Sequence, residues 1–264
     1  MKIGFIGCGN MASAIISGIR NKRSDSDEIY VYDVYEPSTL NARKEFNAFP
    51  CCDETDVVNK SDIVFLAVKP NVIASVLEKI DSSVKENNTL LISIAAGKTL
   101  EFLTGCMKNE CRFIRVMPNI NAKVGEAISA YCFNEYVTDE DKNSVEELLN
   151  CIGKVMCLDE SYFPLFGVIG GCGPAFAYMF IDAMARAGVK NGMKKDDALK
   201  IAAQTVYGSA KMILESDEHP WKLIDNVCSP GGTTIEGVTS LQADGFESAV
   251  HNAVDKALDK DKRL

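Results

Sequence analysis

The chain has 264 residues, enough for one large domain or two ordinary ones with a buried core. Its formal net charge of −9 argues against a nucleic-acid partner or an anionic membrane surface, but leaves room for a locally positive site that takes a small anion. The ten cysteines are scattered without a C-x-x-C, and two histidines are too few to complete a metal site. A cytoplasmic chain with reduced thiols and no metal is therefore expected. The start, MKIGFIGCGNMA, lacks the basic-apolar-small layout of a signal peptide. No apolar run is expected to reach the roughly 18 residues that cross a bilayer. The nearest, AFAYMFIDAMARAGV, carries Asp182 and Arg186.

Along the chain, Ile3 to Ile6 reads as a strand and Met11 to Ile19 as a helix. EIYVYD is a second strand ending at Asp33, and DIVFLAV, TLLISIA and RFIRVM are further apolar runs rich in branched residues. Continuous apolar strands separated by helical patterns predict a parallel sheet covered on both faces. AISAYCF and KVMCLD extend that sheet. After Asp159 the strand pattern stops and helices follow. The first, GPAFAYMFIDAMARAGVKNG, has Pro174 in its opening turn and Gly188 as its expected stop. The architecture expected is α/β: a Rossmann dinucleotide-binding domain over 1–159, then an all-helical domain over 160–264. The first of these helices is apolar nearly all round and needs burial on every side. About 100 residues of helix rarely supply that alone, so a core shared between subunits is expected.

Three regions carry chemistry. Gly7-Cys8-Gly9-Asn10-Met11-Ala12 is G-x-G-x-x-A between a strand and a helix. The first glycine makes the turn, the second admits a pyrophosphate to the backbone, and the small Ala12 lets helix and strand pack. Asp33 closes the second strand, where an acid meets the adenosine ribose and disfavours a 2′-phosphate; this leans the cofactor toward NADH rather than NADPH. Ala67-Val68-Lys69-Pro70 closes the third strand and Ala95 follows the next, both at the carboxyl edge where ligands of this architecture bind. Lys69 either faces cofactor phosphates or caps a strand end in solvent. Asn119 either donates to a nicotinamide or substrate group or satisfies its own turn. The third region is SPGGTTIEG, Ser229 to Gly237. Thr233 and Glu236 fit a capping box, and a helix start after two glycines is a ready anion site. The cysteines lie mostly on apolar runs and read as small buried hydrophobes.

Together these residues resemble the pyrroline-5-carboxylate reductase family over nearly the whole chain. The resemblance rests on GFIGCGNMASAI, AVKP, RVMPNINA, GGCGPAFAYMFIDAMARAGV, AAQTVYGSAKM and, most specifically, LIDNVCSPGGTTIEGVTSLQ. Two local departures stand out: Ile120-Asn121 where the family often has Thr-Pro, and Gly170-Gly171-Cys172 where it often has Ser-Gly-Ser. The resemblance implies reduction of the cyclic imine 1-pyrroline-5-carboxylate to L-proline with NADPH or NADH. It also implies a homodimer through the C-terminal helices, often assembled into a ring of five dimers. An imine nitrogen arrives protonated near neutral pH, so such a site needs geometry rather than a strong general acid. On this reading Ser229, Gly231, Gly232 and Thr233 hold the substrate carboxylate, and the Thr234 hydroxyl bonds the ring nitrogen. Two rivals share the layout. A β-hydroxyacid dehydrogenase needs a lysine early in the long helix, and Gly173 to Phe180 has none. A non-catalytic nucleotide sensor would leave SPGGTT without a task.

Overall fold

Branched apolar runs with buried side chains on both faces become the strands, and amphipathic segments between them become the covering helices. The structure is a computed structural model that describes residues 1–23 and 27–262. In chain order the first part runs β1 (Lys2–Ile6), α1 (Asn10–Lys22), β2 (Glu28–Tyr32), α2 (Glu36–Phe46), β3 (Phe49–Pro50), α3 (Glu54–Lys60), β4 (Ile63–Leu66), α4 (Ile73–Asn87) and β5 (Leu90–Ser93). It continues with α5 (Leu100–Gly105), β6 (Phe113–Met117), β7 (Ala127–Phe133), α6 (Asp139–Asn150), β8 (Gly153–Cys157) and α7 (Phe163–Phe166).

The eight strands form one sheet in the order β3-β2-β1-β4-β5-β6-β7-β8. Pairing is parallel through β6, antiparallel between β6 and β7, and parallel again between β7 and β8. The chain thus crosses to the far side of β1 after β3, and the β1/β4 boundary is the switch point where this architecture binds ligands. β1, β4 and β5 supply a fully apolar centre in which Phe5 stacks on Phe65 with ring centroids 4.8 Å apart.

Contacts divide the chain into two units, with the break between Gly171 and Cys172. Residues 160–171 therefore pack with the sheet domain rather than with the helices that follow. The cause is Phe163, which is fully buried against Ala130 and Cys132 and lies under the Arg115 guanidinium. Arg115 also pairs with Glu160 at 2.8 Å, and Glu160 accepts the Leu100 N–H at 2.7 Å. A π-helical turn, Gly167–Cys172, closes this unit.

The second unit has α8 (Gly173–Lys190), α9 (Lys195–Glu215), α10 (Pro220–Val227), α11 (Thr233–Ala243) and α12 (Phe246–Asp261). Two sequence expectations are corrected here. Gly188 does not stop α8, which runs on to Lys190 and turns at Gly192 with φ +94°. Gly188 is instead a contact point, since a Cβ there would lie 3.1 Å from that of Ala198 on α9. The expected lack of an apolar run long enough for a bilayer is also revised. The helical run Glu160–Lys190 holds an 18-residue window of mean hydropathy 1.5, long and apolar enough by composition. That run includes the Asp182–Arg186 ion pair.

Candidate active site

The glycine turn after β1 is built by two glycines with different duties. Gly7 has φ +96°, and a Cβ there would sit 2.5 Å from the Ala67 carbonyl oxygen, so the turn and the β1–β4 contact both demand glycine. Gly9 has an ordinary extended backbone and nothing within 4 Å of where its Cβ would be. No protein atom needs that space, so the missing side chain keeps room for a ligand. Gly9 is the N-cap of α1 without a side-chain cap, which leaves the Asn10 and Met11 N–H groups without intrahelical partners. Ala12 is buried beneath them. Free N–H groups, the positive end of a helix dipole and no Cβ in the way are the features a phosphate cradle needs.

A cavity of about 480 Å³ opens beside the cradle. Gly7, Gly9, Asp33, Ala67, Val68 and Lys69 line it, as the sequence expects of a nucleotide site. Cys8, Asn10, Met11, Pro70 and Ala95 do not line it. Cys8 and Ala95 are buried, and Cys8 contributes only its N–H, which donates to Asp33 Oδ2 at 2.7 Å. Asp33 Oδ1 accepts from the Tyr35 N–H at 2.8 Å. The carboxylate thereby ties the glycine turn to the turn after β2, and each oxygen keeps a lone pair for a ribose hydroxyl. Burial and the Asp33 charge push the Cys8 thiol up to about 12, so it is no nucleophile. Sequence reading did not anticipate Val34, Glu54, Val72 or Ser75 in the lining of this cavity.

Of the two readings of Asn119, the hydrogen bond it makes belongs to the structural one. It is 5% exposed, and its Nδ2 donates to the Gly170 carbonyl at 2.9 Å, fixing the π-helical turn. Only its buried Oδ1 is left without a partner.

In the second unit the Ser229–Thr234 loop closes through a Gly232 N–H to Ser229 carbonyl bond of 3.0 Å. Gly231 has φ +66°, and a Cβ on Gly232 would lie 2.3 Å from Ser229 Oγ. The positive φ calls for glycine at 231, and a side chain at 232 would have to displace the Ser229 hydroxyl. Gly232, not Thr233, is the N-cap of α11, and no side chain caps it, so the expected Thr233–Glu236 capping box does not form. Glycine occupies the cap, and the first-turn N–H groups of Thr233 and Thr234 are left without intrahelical partners. Thr233→Ala should consequently change stability by less than about 0.5 kcal/mol in a denaturant titration.

The thiols divide by environment. Cys8, Cys51, Cys111, Cys132 and Cys151 are buried, whereas Cys52, Cys157 and Cys172 are exposed, which corrects the expectation for those three. Among the described residues, no group of three or more His, Cys, Asp and Glu is placed to hold a metal.

Comparison with known proteins addresses both units. A family model described as pyrroline-5-carboxylate reductase dimerisation matches residues 160–264. One described as NADP oxidoreductase, coenzyme F420-dependent, matches residues 2–97. The Escherichia coli pyrroline-5-carboxylate reductase is 42% identical over 100% of this chain and 98% of its own. The chain belongs to the pyrroline-5-carboxylate reductase family. The Methanosarcina acetivorans reductase is 40% identical over 100% of this chain and 97% of its own. Among solved structures, the Streptococcus pyogenes reductase superposes with a TM-score of 0.87 at 36% identity, covering 100% of this chain and 99% of that one. The Plasmodium falciparum pyrroline carboxylate reductase with NADP bound gives 0.85 at 33% identity, covering 100% and 97%. The Rossmann domain followed by a helical dimerisation domain, expected from the sequence, is the architecture of this family.

Proposed function

We propose that this family member reduces 1-pyrroline-5-carboxylate to L-proline with a nicotinamide cofactor, the last step of proline biosynthesis, in the cytoplasm. What carries this reading over other Rossmann reductases is the second unit: an uncapped helix start on a two-glycine loop, in a chain matching named reductases end to end. The residues present fit the cofactor. Gly7, Gly9 and the N–H groups of Asn10 and Met11 would hold its pyrophosphate, Lys69 its phosphate charge and Asp33 its adenosine ribose. The bound cofactor supplies the hydride.

This chain's own part is binding and orientation. The Thr233 and Thr234 N–H groups, at the positive end of α11, receive the substrate carboxylate. Ser229 Oγ stands over Gly232 beside them. The Thr234 hydroxyl accepts the proton on the imine nitrogen as a hydrogen bond and fixes which face of the ring is presented. Fixed geometry of this kind lowers the barrier without a titrating acid. The working unit is a homodimer through the C-terminal helices, which assembles further into a decamer.

The test is oxidation of NADH and of NADPH, measured separately, with pyrroline-5-carboxylate. No oxidation of either would overturn the reading. Thr234→Ala should lower kcat/KM by about 2- to 15-fold, the worth of one neutral hydrogen bond, while cofactor affinity stays the same. Unchanged kinetics would remove Thr234 from the site. Asp33→Ser should narrow a preference for NADH. A wild-type enzyme that already favours NADPH would sink that assignment.

A further inference from the structure

The nucleotide cavity contains a second acid. Glu54 is the first residue of α3, its side chain is 11% exposed, and it lines the same cavity as Asp33, Val34 and Ser75. Its partner is Lys79 on α4, whose side chain is 48% exposed. The pair is lopsided: the glutamate lines the cavity and is nearly buried, whereas the Lys79 side chain is about half exposed to solvent. Solvent screens the Lys79 charge more than it screens that of Glu54. Among the described residues lining the cavity, Lys69 is the one basic side chain. It lies two residues past Ala67, whose carbonyl oxygen would meet a Cβ on Gly7 at 2.5 Å, and so it is placed on the glycine-turn side of the cavity.

We infer that Glu54 is a specificity-determining residue at the adenosine ribose: with Asp33 it bars a dinucleotide bearing a 2′-phosphate and admits one with a free 2′-hydroxyl. The inference rests on the nucleotide reading of this cavity. A 2′-phosphate brings about −1.5 to −2 charges, and each acid in a partly enclosed pocket repels it. A hydroxyl in the same place donates to either carboxylate. The glutamate is held in place by Lys79, so it cannot swing aside as a free surface side chain would.

The test uses two nucleotide fragments that differ only in the 2′-phosphate, 5′-AMP and adenosine 2′,5′-bisphosphate, titrated calorimetrically into the full-length protein. Wild type should favour 5′-AMP. Glu54→Gln should move the affinity ratio toward the bisphosphate by about tenfold, or about 1.4 kcal/mol. If that variant does not fold, as judged by thermal melting, Glu54→Asn takes its place. The double variant Glu54→Gln with Lys79→Gln should keep the shift, because the cause is a lost repulsion. A shift seen only in the single variant would mean that a freed Lys79 had captured the phosphate, and would overturn the inference. So would a ratio within twofold of wild type. If wild type binds neither fragment, the nucleotide reading fails and this inference with it. If wild type binds both and Glu54 variants leave the ratio alone, only this inference fails.

Discussion

Gly9→Val is expected to abolish nucleotide binding in a protein that still folds. The backbone of Gly9 is extended with φ −73°, and the space where a Cβ would point is open for 4 Å. The Cβ of a valine there meets no atom of the described residues within 4 Å. It gives up only some quality as an N-cap, about 1 kcal/mol or less, and so less than about 4 °C in Tm. Its methyls enter the space in front of the Asn10 and Met11 N–H groups. Losing two hydrogen bonds to a charged pyrophosphate, at about 1.5–3 kcal/mol each, weakens binding by at least about 100-fold. Gly7→Ala should fail in the other order. Its methyl would meet the Ala67 carbonyl oxygen at 2.5 Å in a backbone with φ +96°, where nothing flexible can give way. A loss of about 3 kcal/mol or more in stability is expected there. Nicotinamide fluorescence and thermal melting on both variants read the two quantities. Normal binding by a folded Gly9→Val would remove the cradle as the pyrophosphate site.

These two glycines also show how far the sequence can be read. The motif G-x-G-x-x-A and the strands around it were legible because their causes are local: continuous apolar runs, a turn and a helix start. What the sequence could not tell was which of several uses a residue serves. Gly188 has the look of a helix stop, yet its small size serves contact with Ala198, a choice made by α9, the next helix along the chain. Thr233 has the spacing of a capping box, but Gly232 is already held by Ser229 and takes the cap position first. Asn119 has the place of a ligand donor, but the π-helical turn leaves the Gly170 carbonyl in need of a partner and consumes the amide. Glu54 stands in the run CDETD, where nothing in the sequence sets it apart from its acidic neighbours. The packing of α3 against α4 pairs it with Lys79 and makes it part of the cavity lining. For Asn119 and Glu54 the deciding partner is distant in sequence, and for Gly188 and Thr233 it is the conformation of the adjoining turn or helix.

The second unit carries the other large expected effect. Among its described residues the buried apolar side chains are only Ala185, Ala198 and Ala202, too little for helices of this length to stand alone. Meanwhile Met179 is 74% exposed and Leu214 83%, and Phe176, Met184, Leu241 and Val250 line an apolar cavity of about 610 Å³. A face this apolar is an association surface, in keeping with the dimerisation family that matches it. Met179→Glu tests it, because the side chain lines that cavity yet is 74% exposed, so in the protomer the charge keeps its contact with water. At an interface the same glutamate becomes a buried, unpaired charge, which costs about 3–5 kcal/mol. The dimer dissociation constant should then rise by about 10²- to 10⁴-fold. Sedimentation or light scattering across a dilution series should show wild type with no folded monomer, and the variant dissociating into a species that unfolds at lower temperature. Leu40→Glu, an exposed apolar position on α2 of the first unit, should leave the dimer intact. If Met179→Glu sediments like wild type, α8 does not form the interface. If wild type itself persists as a stable monomer, the second unit needs no partner, and the exposed apolar face requires another explanation.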